Sequence, residues 1–195
     1  MRRRFTQLVT LVATMAALAV GGAGLASAAD ADTQATTRQK IVSIAKAEMN
    51  NADHNREKFG KNCNFYSGQV GGGTPCGPGN KWRAEAWCAD FLKYVWKKAG
   101  ADTAGINAGA ASLYSYGKKH GTWNSGSSIA GVKAGDAIVY NLNSAGTHAS
   151  HVGIVTAVNK STGKITVISG NYGDRVDDVT AKPGGSVSGY AGPVG

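Results

Sequence analysis

Hydrophobic positions along the chain change period once, and the change divides it into a helical first part and a strand-rich second part. Ile41, Ile44, Ala45 and Met49 follow helical spacing, which predicts a first helix from about Thr37 to Asn50. Ahead of them Thr36-Thr37-Arg38-Gln39 has the pattern of a capping box, with Thr36 capping and Gln39 reaching back. The clearest helix runs from Trp87 to Ala99. There Cys88, Phe91, Leu92, Val95, Trp96 and Ala99 form one buried stripe. Lys97 and Lys98 suit the negative end of its dipole, and Gly100 supplies the stop. Asn107 to Tyr116 reads as a short third helix ended by Gly117.

From Val132 onward the pattern is that of strands. Ala137–Tyr140, His151–Val158 and Lys164–Ser169 are short β-rich runs separated by Gly, Asn and Ser clusters, and Ser186–Tyr190 adds a final candidate. The connections are too short for parallel crossovers, so the sheet is expected to be antiparallel. Helices first and strands later give an α+β fold.

Between the first two helices, residues 60–83 form a glycine-rich segment, read as irregular and bracketed by Cys63 and Cys76. Such a chain has high backbone entropy when free. A disulfide closing a loop of that size offsets roughly 3 kcal/mol of it on the chain-entropy model. Pairing Cys63 with Cys76 leaves Cys88 as the odd thiol of the three.

The N-terminus reads as an export signal. Arg2, Arg3 and Arg4 form a basic region, Leu8 to Val20 an apolar stretch, and Ala26-Ser27-Ala28 a small-residue cleavage site. A twin-arginine address is a second reading of the same start. The expected organisation is therefore a signal at residues 1–28, a disordered mature N-terminus at 29–36, and a catalytic domain at 37–195. Removing the three signal arginines lowers the formal charge from +9 to +6. A basic exported protein suits anionic polymers or surfaces. The lysines are scattered and show no nucleic-acid signature, and no stable membrane anchor is expected.

Cys88 opens its helix, where free N–H groups and the dipole stabilise a thiolate and lower the thiol pKa. The alternative is a buried structural cysteine. His151, at the start of a strand, is placed to take the thiol proton and return it to a leaving amine. His54, His120 and His148 read as solvated loop residues. Asn171 in Ser169-Gly170-Asn171 is the candidate to orient the imidazole, with Asp174 and Asp177 close behind; the alternative is an ordinary Gly-Asn turn. Tyr66, Trp82, Tyr114, Tyr116 and Trp123 are candidate groove aromatics. The chain lacks a G-x-S-x-G elbow, a phosphate loop and a dinucleotide fingerprint.

Trp87-Cys88-Ala89-Asp90-Phe91, Gly135-Asp136-Ala137-Ile138-Val139-Tyr140, Ser150-His151-Val152-Gly153-Ile154-Val155 and Ser169-Gly170-Asn171 together resemble the CHAP family, the cysteine, histidine-dependent amidohydrolases/peptidases related to NlpC/P60 enzymes. The signal and the Cys63-to-Cys76 insert resemble short secreted members from actinomycete-type bacteria. The resemblance implies a papain-like fold. It also implies a peptidoglycan hydrolase, either an N-acetylmuramoyl-L-alanine amidase or a stem-peptide endopeptidase. Cys88 matches the nucleophile, His151 the base and Asn171 the later polar position. Ser169 stands where many members carry Glu, and Trp87 where many carry Gln. Some relatives bind calcium through an acidic loop, but residues 60–83 contain no Asp or Glu, so neither metal nor cofactor is expected. The expected partner is bacterial cell-wall peptidoglycan, met by a secreted monomer; the alternative is a wall-binding protein that keeps the scaffold without turnover.

Overall fold

A computed structural model describes residues 28–195. The export signal assigned to residues 1–28 lies outside the described residues, save its last position.

Helix α1 (Ala28–Met49) begins nine residues earlier than the capping box predicts. Residues 29–36, expected to be disordered, are its first turns. Ala29, Ala31 and Ala35 are strong helix formers, and Gln34 Nε2 donates to the Pro193 carbonyl at 3.2 Å, fixing this end to the C-terminal segment. Ile41 and Ala45 are fully buried, with Ile44 and Met49 packed beside them, as the helical spacing requires.

The glycine-rich segment is more ordered than its composition suggests. It holds β1 (Cys63–Asn64), α2 (Phe65–Val70), β2 (Thr74–Pro75) and β3 (Arg83–Ala84), the strands forming a small sheet in the order β1-β3-β2. Asn64 caps α2 by accepting from Ser67 N, a local hydrogen bond that periodicity does not reveal. Cys63 and Cys76 are disulfide-bonded, and Cys88 is free and buried.

Helix α3 (Cys88–Ala99) buries the predicted stripe, and Gly100 ends it with a left-handed backbone. Helix α4 (Ser112–Lys119) starts and ends later than expected. The main sheet comprises β4 (Trp123–Ser125), β5 (Ala137–Tyr140), β6 (His151–Asn159), β7 (Lys164–Ser169), β8 (Asp177–Ala181) and β9 (Val187–Ala191). Its order is β4-β9-β5-β6-β7-β8, and every neighbouring pair is antiparallel. One face packs Ala137, Val139, Val152, Ile154 and Ile168 against the helices. The other face gathers Ile138, Val155, Ile165, Val167, Val187 and Tyr190 into a second, smaller core. The fold is α+β with the papain-like arrangement, a cysteine-bearing helix on an antiparallel sheet.

Arg38 joins helix to sheet. Its Nη1 donates to Asp136 Oδ1 at 2.6 Å and to the Ala134 carbonyl at 3.2 Å, while Lys133 N donates to Asp136 Oδ2 at 2.8 Å. The Gly135-Asp136 pair of the sequence pattern therefore serves the scaffold. Gly135 has φ 93° and lies against the Arg38 stem, so a β-carbon there would crowd it.

Candidate active site

Cys88 is the first residue of α3, and its thiol meets the sheet one residue past His151. The backbone N–H of Val152 on β6 is directed at the sulfur, together with those of Ala89 and Cys88 itself. All three favour a thiolate. Burial opposes them and wins, because a charged sulfur there has lost its water, and the thiol is pushed above its ordinary value of 9.0. This corrects the expectation that the helix terminus alone lowers it. Burial also pushes the His151 imidazole below 6.5. At rest the thiol and the imidazole are therefore both neutral.

His151 stands at the start of β6, opposite Tyr140 on β5. Its ring lies 5.9 Å from that of Tyr140 and 6.2 Å from that of Tyr172. Its Nε2 is buried without a hydrogen-bond partner among the described residues. Asn171 sits in a left-handed turn with φ 55°, a conformation Asn tolerates. It also lines the same groove as His151 and Ser169. That groove, of about 400 Å³, runs over the second core, with Ile138 and Val167 in its floor and Tyr140 and Tyr172 in its walls. Ser169 Oγ covers Gly153 in the neighbouring strand, two residues from His151. Asp174 gives its carbonyl to Glu57 N at 3.1 Å, whereas Asp177 lines the groove and pairs with Arg175.

The other expectations divide. Tyr66 and Tyr116 are core residues, 0% and 2% exposed, and lie outside that groove. Tyr114 packs edge-on to Trp123, also outside it. Of the remaining histidines only His148 is exposed. His54 stacks on Phe65 with ring centroids 3.6 Å apart, and His120 packs on Tyr116. Several contributors gave no sequence signal: the Val152 N–H, the groove tyrosines, and Glu57, whose Oε1 accepts from Trp87 Nε1 at 3.0 Å.

Glu85 and Asp90 flank Cys88 and face each other and Ser67, whose Oγ donates to Asp90 Oδ2 at 2.6 Å. Among the described residues no three His, Cys, Asp or Glu side chains converge as a metal site would require. The donor set does not fit the calcium loop of some relatives.

Residues 77–171 match the family model for the CHAP domain, a span that takes in Cys88, His151 and Asn171. The chain carries a CHAP domain. CHAP domains belong to a peptidoglycan-hydrolase family, and the match covers α3 through the end of β7. No curated protein matches the chain. Among solved structures, the wild-type endolysin LysIME-EF1 aligns with a TM-score of 0.47 at 15% identity, over 80% of this chain. The chain spans 64% of that endolysin's length, too distant a likeness to assign an activity. Among the described residues no helix is long and apolar enough to cross a membrane.

Proposed function

We propose that this CHAP domain, extending over residues 37–195, is a secreted cysteine hydrolase that cleaves amide bonds of peptidoglycan, with Cys88 as nucleophile, His151 as base and Asn171 at the groove edge. The observation that carries the reading is the thiol of Cys88 at a helix N-terminus, held by the N–H of the residue that follows His151.

The chemistry balances with these groups alone. His151 takes the thiol proton as sulfur attacks the amide carbonyl carbon, and the C–O π pair moves to oxygen. The N–H of Cys88 is available to the resulting oxyanion. As the carbonyl re-forms, the C–N bond breaks and the imidazolium gives its proton to the leaving amine. The thioester is then attacked by water, whose proton passes to His151. Breaking the C–S bond releases a carboxylic acid and restores the thiol. Because both groups start neutral, proton transfer accompanies attack.

The test is digestion of purified peptidoglycan by the wild type and by Cys88→Ala. Wild type is expected to release soluble fragments and the variant none; equal release refutes catalysis by Cys88. Mass analysis of the fragments separates amidase from endopeptidase.

A second reading, a wall-binding protein without turnover, is favoured by one observation. His151 Nε2 has no orienting partner, and Ser169 stands where many relatives carry a carboxylate. Retention on peptidoglycan without fragment release by the wild type supports it.

A further inference from the structure

Phe59 is the most exposed large hydrophobic residue described, at 69%, and its backbone lies at φ 65°. A bulky residue in the left-handed region is a steric outlier. Packing does not hold Phe59 there, since its ring is in solvent. Such strain concentrates where a side chain is presented for use.

What it is presented beside is Trp82. The rings stand 5.4 Å apart and 80° to one another, forming an open aromatic corner, with Lys58 Nζ 5.6 Å from the Trp82 ring. The corner is anchored on both sides of the disulfide. Lys58 N donates to the Cys63 carbonyl at 3.0 Å, and Cys76 N donates to the Trp82 carbonyl at 3.1 Å. Trp82 backs edge-on against Phe65, itself stacked on His54. From residue 58 to 84 the chain carries Lys58, Lys61, Lys81 and Arg83 and no acidic residue. The neighbouring Glu57 carboxylate is already engaged by Trp87 Nε1 and Asn62 N. Through that first bond the corner is linked to the residue preceding Cys88.

We propose that Phe59 and Trp82 form a glycan-binding corner, with sugar rings lying against the aromatic faces and the carboxylates of the attached stem peptides drawn towards Lys58 and Lys61. Sugar C–H faces are apolar and weakly positive, so they suit an aromatic face as cations do. A polyanion held by charge alone needs the lysines but has no use for a strained phenyl ring. The proposal rests on the peptidoglycan reading, because it assigns the part of that polymer held while an amide nearby is cut.

The experiment measures retention of the full chain carrying Cys88→Ala on purified peptidoglycan freed of its anionic side polymers, at 0.15 M and 0.5 M salt (roughly 8 Å and under 8 Å of screening length). Phe59→Asn keeps the left-handed turn, which Asn accepts, and removes the ring. This variant and Trp82→Ala are each expected to weaken retention at least about fivefold, the lower end of what an aromatic stacking contact contributes. Thermal unfolding of Phe59→Asn should be unchanged or higher. Undiminished retention of Phe59→Asn overturns the corner, as does no retention of the parent protein. Retention abolished by salt or by Lys58→Gln with Lys61→Gln, but indifferent to the aromatics, also overturns it in favour of a simple polyanion surface. The two readings fail separately. Ring-dependent retention with no fragment release by the wild type leaves the corner standing and removes the hydrolase. Fragment release with ring-independent retention does the reverse.

Discussion

Gly170 lies directly beneath Trp87: a β-carbon built on it would stand 2.8 Å from the indole and 2.5 Å from the Cβ of Phe91. That close approach brings the end of β7, and with it Ser169 and Asn171, to the start of α3. Alanine there forces strand and helix apart, and overpacking of this kind costs about 1–3 kcal/mol. Gly170→Ala should lower the Tm and also reduce peptidoglycan digestion at temperatures where the variant is folded. An unchanged Tm and rate would show that the contact sets nothing.

On the proposed mechanism, a neutral Cys88 thiol and a neutral His151 imidazole set the pH profile of hydrolysis. Activity requires one proton on the pair. Burial moves the imidazole below 6.5 and the thiol above 9.0, so kcat/KM should hold a broad plateau with its acid limb below 6.5 and its alkaline limb above 9.0. Alkylation of Cys88 in the resting protein should climb through pH 9. A high, flat alkylation rate from pH 6 would instead reveal a preformed ion pair.

Glu85 makes a separate pH prediction, for stability. Desolvation first, then its bond to Asp90, raises its carboxyl from 4.5 to about 7 in the fold. Its folded value lies above its unfolded one, so its contribution is complete below pH 4.5 and is lost as pH rises through about 7. Glu85→Gln stays neutral throughout. Its Tm should match the wild type near pH 4 and exceed it above pH 8. A difference independent of pH excludes the raised Glu85 carboxyl as its cause.

How much of this was legible in the sequence differs by element, for physical reasons. The α3 stripe and the edges of β5 and β7 were readable because local periodicity fixes them. Strands β4 and β8 were not, since Trp123-Asn124-Ser125 and Asp177–Ala181 are largely exposed and gain their pairing from β9 and β7. The order of Cys88, His151 and Asn171 was visible. The suppression of the thiolate was not, because desolvation depends on what folds over the sulfur. The groove aromatics were misread for the same reason: Tyr66 and Tyr116 look available in sequence and are core.

The Cys63–Cys76 disulfide closes a loop with a sequence separation of 13. Reducing it should cost about 3 kcal/mol on the chain-entropy model, a fall of roughly 6–12 °C in Tm for a protein of this size. Calorimetry with and without reductant checks this. Because Phe59 and Trp82 are tied to opposite ends of the bridge, retention on peptidoglycan should weaken on reduction even well below the new Tm. A Tm unmoved by reductant would mean that α2 and the small sheet hold the segment unaided.

Ser169 offers the most direct test of how the imidazole is held. It is 6% exposed, shares the groove with His151, and covers Gly153 on the same strand. A carboxylate introduced there by Ser169→Glu gains the His151 ring, with its unbonded Nε2, as a partner in a groove that also holds Lys182. Opposite charge favours the imidazolium, so the histidine pKa should rise and the acid limb of kcat/KM should move to higher pH. The same pairing would order the ring, so kcat should hold or increase at pH 8 despite the cost of burying a carboxyl. Ser169→Ala should leave the limb in place. Asn171→Ala is expected to lower kcat, since it removes the groove-lining amide just past Ser169 at the end of β7. If Ser169→Glu leaves the limb unmoved while the protein stays folded, Ser169 does not face the imidazole in the working enzyme.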